Sequence, residues 1–331
     1  MTVTFIIITY NSKNFISKCI NSILIQSHKN FEIIIIDNNS NDSTLDIINS
    51  FKGDIPIKII SNNENIGYGN AINQNIKNIS SEFIAVLNAD VYLEKNWTIN
   101  LIKSFVDNDL SVMASGLIYS PDNSIQSTGG CMDQFGAVFH RNSLLTKTKN
   151  LDNQSPFFFI DGSTFLIKTD FFKKNYFDPN LFLYYEDVDL SWRIHMLKYK
   201  INFVSTAVAY HDIGHKNKKM TSKKFLYTAR NRLYVCQKNL PSKKIFKIIP
   251  AIVFLLLLNS IYYNFKFKTV SYTFNFFKAW FWNIKNIKTI LFQRKNGFKI
   301  NLLSNTEFDN LITSESIEIN FFKNKILFKP K

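Results

Sequence analysis

The sequence predicts an α/β fold, a mainly parallel central sheet flanked by helices, followed by a basic, apolar helical appendage. Three observations carry this expectation. Over the first two thirds of the chain, short apolar runs rich in β-branched residues alternate with stretches whose apolar residues recur every three or four positions. Four successive runs end in clusters of Asn, Asp, Ser and Gly. The charge is also segregated: residues 1–212 hold 17 Lys and Arg against 21 Asp and Glu, residues 213–299 hold 19 against none, and residues 300–331 hold four of each.

Runs at 3–8, 32–36, 57–60, 83–87, 112–118, 157–168 and 202–208 predict strands, most of them apolar throughout, as strands covered on both faces are. Between the first two, Phe15, Cys19, Ile20, Ile23 and Leu24 make one helical stripe, and residues 71–79 repeat the pattern. Further helices are predicted at 187–198 and 222–238. With 46% apolar and 15% aromatic residues, the 331-residue chain can bury a sizeable core, which excludes a disordered chain. Cys19, Cys131 and Cys236 are far apart and form no cluster with histidine, so neither a zinc knuckle nor a disulfide framework is expected. That fits a reducing compartment. The apolar run at 5–8 is too short for an export signal.

The polar strand ends are Thr9-Tyr10-Asn11-Ser12, Asp37-Asn38-Asn39-Ser40, Asn62 to Asn65 with Gly67, and Asn88-Ala89-Asp90. Ligands of open α/β sheets bind outside the carboxyl ends of the strands, so one shared site is expected there. Alternate residues leaving a strand point the same way, so Asn88 and Asp90 can face one ligand. Such an oxygen pair suits Mg²⁺ or Mn²⁺ held against a diphosphate; an Asp in this position also serves as a turn residue. In Glu186-Asp187-Val188-Asp189-Leu190-Ser191-Trp192-Arg193, crowded carboxylates make the environment of a general base. The same acids also suit the first turn of a helix. His211 follows the last predicted strand, as a metal ligand or a loop histidine. No GxxxxGK[ST], GxGxxG, GxSxG or HExxH segment occurs, which removes the P-loop, dinucleotide, serine-hydrolase and zincin readings.

Taken in order, Ile8-Thr9-Tyr10-Asn11-Ser12, Ile36-Asp37-Asn38-Asn39-Ser40, Asn65-Ile66-Gly67-Tyr68-Gly69, Leu87-Asn88-Ala89-Asp90-Val91, Asp161-Gly162-Ser163, the segment from Phe182 to Arg193, and Tyr210-His211 resemble one family. It is the family 2 inverting glycosyltransferases of GT-A fold, a Rossmann-like architecture, and within it the rhamnosyltransferase-like branch. The resemblance spans residues 1–240. It implies a nucleotide-diphosphate-sugar donor, a divalent metal (Mn²⁺ or Mg²⁺), and transfer to an acceptor hydroxyl in cell-surface polysaccharide or glycolipid synthesis. By position, Thr9, Tyr10 and Asn11 would line the nucleoside pocket, with Asp37 on the base or ribose, Asn39 a further donor-binding residue, and Asn65 and Gly67 bordering the nucleotide. Asn88 and Asp90 occupy the DxD-type position, where Asn88 leaves one charge fewer for the metal. Asp90 and His211 would be metal ligands and Asp187 the general base, while Glu186, Trp192 and Arg193 would shape the acceptor side.

The chain thereby divides into a catalytic domain at 1–240, a basic aromatic region at 241–299 and a tail at 300–331. The acid-free block mixes its Lys and Arg with Phe254, Tyr262, Tyr263, Phe276, Trp280 and Trp282, a composition that suits an anionic membrane surface better than nucleic acid. Residues 248–265 carry no charge, yet Asn259, Ser260 and Asn264 interrupt them. A helix lying in or dipping into the cytoplasmic leaflet is therefore expected, more than a full span. Such attachment would bring the site to a lipid-linked or saccharide acceptor on the cytoplasmic face of the cell membrane. The competing readings are a sugar nucleotidyltransferase, which would need a Gly-rich basic loop after the first strand, and a non-catalytic membrane-surface or nucleic-acid-binding module. In the tail, Ile317, Ile319 and Phe321 alternate, which suggests a strand or a small cap.

Overall fold

The computed structural model describes residues 1–51, 57–106, 108–142, 157–212 and 220–327. Its strands are β1 (Val3–Thr9), β2 (Phe31–Asp37), β3 (Ile57–Ser61), β4 (Phe83–Asn88), β5 (Val91–Leu93), β6 (Ser111–Tyr119), β7 (Ile125–Ser127), β8 (Gly130–Met132), β9 (Val138–His140), β10 (Thr164–Lys168) and β11 (Lys200–His211). The first six helices are α1 (Ile16–Leu24), α2 (Thr44–Ser50), α3 (Tyr68–Ile76), α4 (Trp97–Lys103), α5 (Thr169–Lys174) and α6 (Glu186–Met196).

One sheet runs in the order β3-β2-β1-β4-β10-β6-β11-β5, with β7 on β6. Strands β3, β2, β1 and β4 are mutually parallel. The sheet becomes mixed at β10, which is antiparallel to both β4 and β6; β11 is parallel to β6 and β5 antiparallel to β11. All seven residues of β1 are buried because each face is covered. Val3, Phe5 and Ile7 pack with Ile16, Cys19, Ile20 and Ile23 of α1, whereas Ile6 and Ile8 pack with Ala71, Ile72 and Ile76 of α3. The alternation is the two-residue period of a strand read out as two cores.

Of the run at 157–168, only the end forms a strand. Phe159 makes a single bridge to Gly130, and Asp161-Gly162-Ser163 is a turn whose Ser163 carbonyl accepts from Asn88 N–H at 2.9 Å. In β11 the register slips between Val204 and Val208, opposite Gly116. A Cβ on Gly116 would stand 1.8 Å from the Ala207 carbonyl oxygen, so the bulge requires glycine there.

The remaining helices are α7 (Ser222–Asn239), α8 (Ser242–Phe267), α9 (Ser271–Lys285), α10 (Ile287–Lys299), α11 (Asn305–Leu311) and α12 (Ile317–Leu327). Helices α7 to α11 share a core with α6: Val188 and Trp192 pack with Leu233, Ile252, Phe276 and Phe308. A polar lock ties α6 to α7 within it. Lys238 Nζ, 5% exposed, lies 2.5 Å from Asp178 and 2.6 Å from Asp189, and Asp189 also accepts from Asn239 Nδ2 at 2.8 Å and Arg193 Nε at 2.9 Å. The described part of the tail, residues 300–327, carries α11 and α12, so of the two expectations for it the strand at 317–321 is not formed. Glu318 of α12 pairs with buried Arg232 at 2.8 Å. Residues 213–219 of the basic block lie outside the described residues. Helix α8 is the one helix among the described residues long and apolar enough to cross a membrane. One face of it, Ile248, Ile252, Leu255, Leu256 and Ser260, is buried in the protein. Phe246, Phe254, Phe265, Phe274, Phe281 and Phe292 are exposed on α8, α9 and α10.

Candidate active site

The polar strand ends lie side by side because the strands are in register: Thr9 faces Asp37, Ile8 faces Asn88, and Asp37 faces Ser61. Above them is a hollow of about 280 Å³ lined by Thr9, Tyr10, Asn11, Asn65, Gly67, Asn88 and Asp90. The Thr9 hydroxyl is buried there without a partner. Asn11, at φ 52°, joins two loops, taking a hydrogen bond on Oδ1 from Asn41 N–H at 2.8 Å while its own N–H donates to Ser40 Oγ at 2.8 Å. Asn65 Oδ1 accepts from Gly67 N–H at 3.0 Å. Gly67 has φ +89°, and a Cβ on it would lie 2.4 Å from the Phe182 carbonyl oxygen.

Two sequence candidates are not on this wall. Asp37 is buried below it, with its carboxylate accepting from Ser40 N–H at 2.9 Å and Ser40 Oγ at 2.5 Å. Asn39 is exposed at φ 67° and its neighbour Asn38 lines the hollow instead. The strand ends at Asp37, so the turn beyond it points 38 inward and 39 out; Asn38 Nδ2 donates to the Gly67 carbonyl at 3.3 Å.

The hollow shares Tyr10, Tyr68, Asn88, Asp90 and Leu183 with a larger cavity of about 710 Å³. Asp161, Glu186, Asp187 and His211 also line it, as do Gln126, His140 and Lys224, which sequence reasoning did not single out. The β5/β11 pairing sets His211 against Val91, and His211 Nε2 is 3.2 Å from Asp90 Oδ1. Gln126 Nε2 lies 2.7 Å from the other ring nitrogen of His211, leaving Gln126 Oε1 buried without a partner. This arrangement fits a divalent cation. Turning the amide lets Oε1 accept the Nδ1 proton and frees the Nε2 lone pair, and ligands adjacent on an octahedral Mg²⁺ stand about 3 Å apart. Among the described residues no group of three or more His, Cys, Asp or Glu side chains could hold a metal, so a cation here would complete its shell from phosphate and water.

The carboxylates beside it are tuned apart. Asp187 takes hydrogen bonds from Gly162 N–H at 3.0 Å and Val188 N–H at 2.8 Å, yet burial and then the charge of Asp161 push it up to about 6. Burial and then Asp187 push Glu186 up to about 8, and Glu186 Oε2 has no partner. Burial alone would raise Asp161, but His140, 3.7 Å away, and His211 hold it below the usual carboxylate range. Both carboxyls are thus held above the ordinary carboxylate range, and because they interact, protons leave the pair in steps that belong to neither residue alone.

Glu186 and Asp187 are delivered by a tight turn. Tyr184 and Tyr185 both have left-handed backbones, φ 71° and 72°, which cost on the order of 1–2 kcal/mol each for residues other than glycine. The Tyr185 hydroxyl donates to the Gly136 carbonyl at 2.9 Å. The same helix carries Trp192 and Arg193 away from the cavity, since residues five and six positions past Asp187 lie about 140° and 240° round the axis. Trp192 is 1% exposed and stacks on Phe308 at 5.3 Å; Arg193 holds Asp189 and the carbonyls of Asn175 and Tyr176.

With this geometry in view, a family model described as glycosyl transferase family 2 matches residues 4–175. The poly-beta-1,6-N-acetyl-D-glucosamine synthase of Staphylococcus epidermidis is 24% identical over 209 residues, 63% of this chain and 49% of that protein. The chain thus spans about half the length of curated relatives it matches. Among solved structures, GalNAc-T7 with UDP, GalNAc and Mn²⁺ superimposes with a TM-score of 0.62 at 16% identity, over 78% of this chain and 51% of that one. The mannosyltransferase PcManGT from Pyrobaculum calidifontis, in complex with GDP-Man and Mn²⁺, gives 0.55 at 15% identity over 99% and 88%. At these identities the likeness is one of fold, and the fold is GT-A.

Proposed function

The chain belongs to glycosyl transferase family 2, and from that premise we propose that it moves a hexosyl unit from a nucleotide-diphosphate sugar to an acceptor hydroxyl with inversion. The observation that carries this reading is that Asp90, His211 and Asp187 face one cavity continuous with the hollow above β1, β2 and β4.

In this reading the hollow takes the nucleoside, with Thr9, Tyr10, Asn11, Asn65 and Gly67 around it, and Asn88 and Asp90 face the diphosphate. Asp90 and His211 would hold the divalent cation. When bound, that cation neutralises the charge that grows on the departing nucleoside diphosphate. Asp187 accepts the proton of the acceptor hydroxyl as its oxygen attacks the anomeric carbon and the bond to the nucleoside diphosphate breaks. Glu186, raised by burial and by Asp187, lies beside it on the acceptor side. The Mn²⁺ bound with UDP and GalNAc in one fold neighbour, and with GDP-Man in the other, supports this assignment. Inside the family, the motifs resemble the rhamnosyltransferase-like branch, so deoxyhexose donors belong first in any screen.

The proposal extends to the cell surface. The Staphylococcus relative is named as a polysaccharide synthase, and a lipid-linked or saccharide acceptor at the cytoplasmic face of the membrane agrees with a basic, acid-free helical layer at 241–299 with exposed aromatics. In this reading α8 rests in the interface rather than spanning, which agrees with one of its faces being buried in the protein. Residues 1–240 then act as the catalytic domain and 300–331 as its cap. The test is stereochemical. Proton NMR of the first sugar released from an α-linked donor, with water as the slow acceptor, is expected to show the β anomer; the α anomer overturns inversion with Asp187 as base.

A further inference from the structure

We propose that Asn231 of α7 is a positioning residue for the catalytic pair, holding the left-handed tyrosine turn that delivers Glu186 and Asp187 and so linking the helical layer to catalysis. The proposal rests on reading Asp187 as the base.

Asn231 is fully buried, 0% exposed. Its Nδ2 donates to two consecutive carbonyls of the turn, Leu183 at 2.9 Å and Tyr184 at 2.7 Å, and its Oδ1 accepts from Arg230 Nε at 2.8 Å. Every polar atom of the amide is therefore used. The carbonyls it grips flank Tyr184, the first of two left-handed residues, and the next two residues in the chain are Tyr185 and Glu186. Neither tyrosine is a residue type that adopts φ near +70° unaided, so the conformation persists only where surroundings over-determine it. Asparagine is the side chain that can give two N–H donors from a short arm. Aspartate, its isostere, would face both carbonyls with oxygen.

The amide is itself anchored from the far side. Arg230 has its guanidinium 4.6 Å from the Trp282 ring of α9, and Asn283 Nδ2 of α9 donates to the Arg230 carbonyl at 3.0 Å. A continuous set of contacts thus runs from α9 through Arg230 and Asn231 to the turn. The first strand ends, which make most of the nucleotide hollow, are not part of it.

The test is a double-mutant cycle on the full chain, with turnover and donor affinity measured separately. Asn231→Ala is expected to lower turnover about 10- to 100-fold, because a misplacement of the order of 1 Å at the reacting groups costs that much, with a smaller change in donor affinity. Glycine takes φ +70° freely. In a Tyr184→Gly background the same Asn231→Ala change is therefore expected to cost less than about threefold. Equal losses in the two backgrounds, or no loss in the parent, overturn the proposal. Should Asn231→Ala alone fail to fold, recovery of folded protein in the Tyr184→Gly background supports the inference, and failure there overturns it. If Asp187→Asn retains full turnover while Asn231→Ala does not, the reading of Asp187 fails, and this proposal with it; if Asp187→Asn is inactive and the cycle shows no coupling, only the role of Asn231 fails.

Discussion

Asp187→Asn is the perturbation that most sharply separates chemistry from folding. The side chains are isosteric, and the oxygen that remains can still accept from Gly162 or Val188 N–H, so one backbone hydrogen bond of two is kept. The change also removes a buried negative charge beside Asp161 and Glu186. The folded carboxyl sits near pH 6, above about 3.9 in an unfolded chain. Its contribution to stability is therefore full below about pH 4 and is lost as pH rises through 6. At pH 7 the asparagine variant should melt no lower than the parent. A positioned general base contributes about 100- to 10,000-fold, or about 3–5 kcal/mol of barrier. Turnover should fall by that factor, measured as coupled nucleoside diphosphate release, while calorimetric donor affinity stays within about threefold because the hollow is built by other strand ends. In the parent, kcat/KM should climb through pH 6 as Asp187 ionises, and the variant should lack that limb. Turnover within tenfold of the parent, with the acid limb intact, would refute the assignment.

Three further outcomes follow from the geometry. Gly67→Ala forces a Cβ to within 2.4 Å of the Phe182 carbonyl at a left-handed φ; donor affinity by calorimetry should weaken about tenfold or more, in line with about 1–2 kcal/mol of strain, and unchanged affinity would show that the hollow is not the donor site. Lys238→Met strands Asp178 among buried groups, where burial acts to raise its pKa but the charge and hydrogen bond of Lys238, with hydrogen bonds from Asn180 and Tyr234, together hold it well down; breaking such a pair costs about 3–5 kcal/mol and should lower the melting temperature by about 10 °C, whereas a shift under 2 °C (about 1 kcal/mol) would mean that the lock contributes little. Vesicles containing anionic lipid should carry the chain on flotation at low salt and release much of it at about 1 M, where the Debye length is about 3 Å; equal flotation with neutral vesicles at high salt would instead favour a spanning α8.

The parallel block was readable because β1, β2 and β4 are covered on both faces, which writes continuous apolar runs ended by polar turns. The expected shared site at those ends follows from the same register. Residues next to Asp187 in sequence were harder. Trp192 and Arg193 belong to the same helix but to another face, and only the helical phase, once α6 is known to begin at Glu186, sorts them. Asn39 and Asn38 differ only in which side of a turn they take, a choice made by where β2 stops. The run at 157–168 looked like one strand because a buried turn at Asp161 is as apolar in its flanks as a strand. Gln126 sits on a three-residue strand and Asn231 in the middle of a helix. Neither carries a local pattern, since their partners, His211 and the Leu183-Tyr184 carbonyls, are 85 and about 48 positions away.

The most direct measurement of the central claim is a nucleotide-sugar panel with the purified chain and its Asp90→Ala variant, each with Mn²⁺ and with chelator, scored as nucleoside diphosphate release and as donor binding. The account predicts one preferred donor, bound and slowly consumed only with the metal, and lost in the variant. A donor bound and turned over equally in chelator and in Asp90→Ala would contradict it.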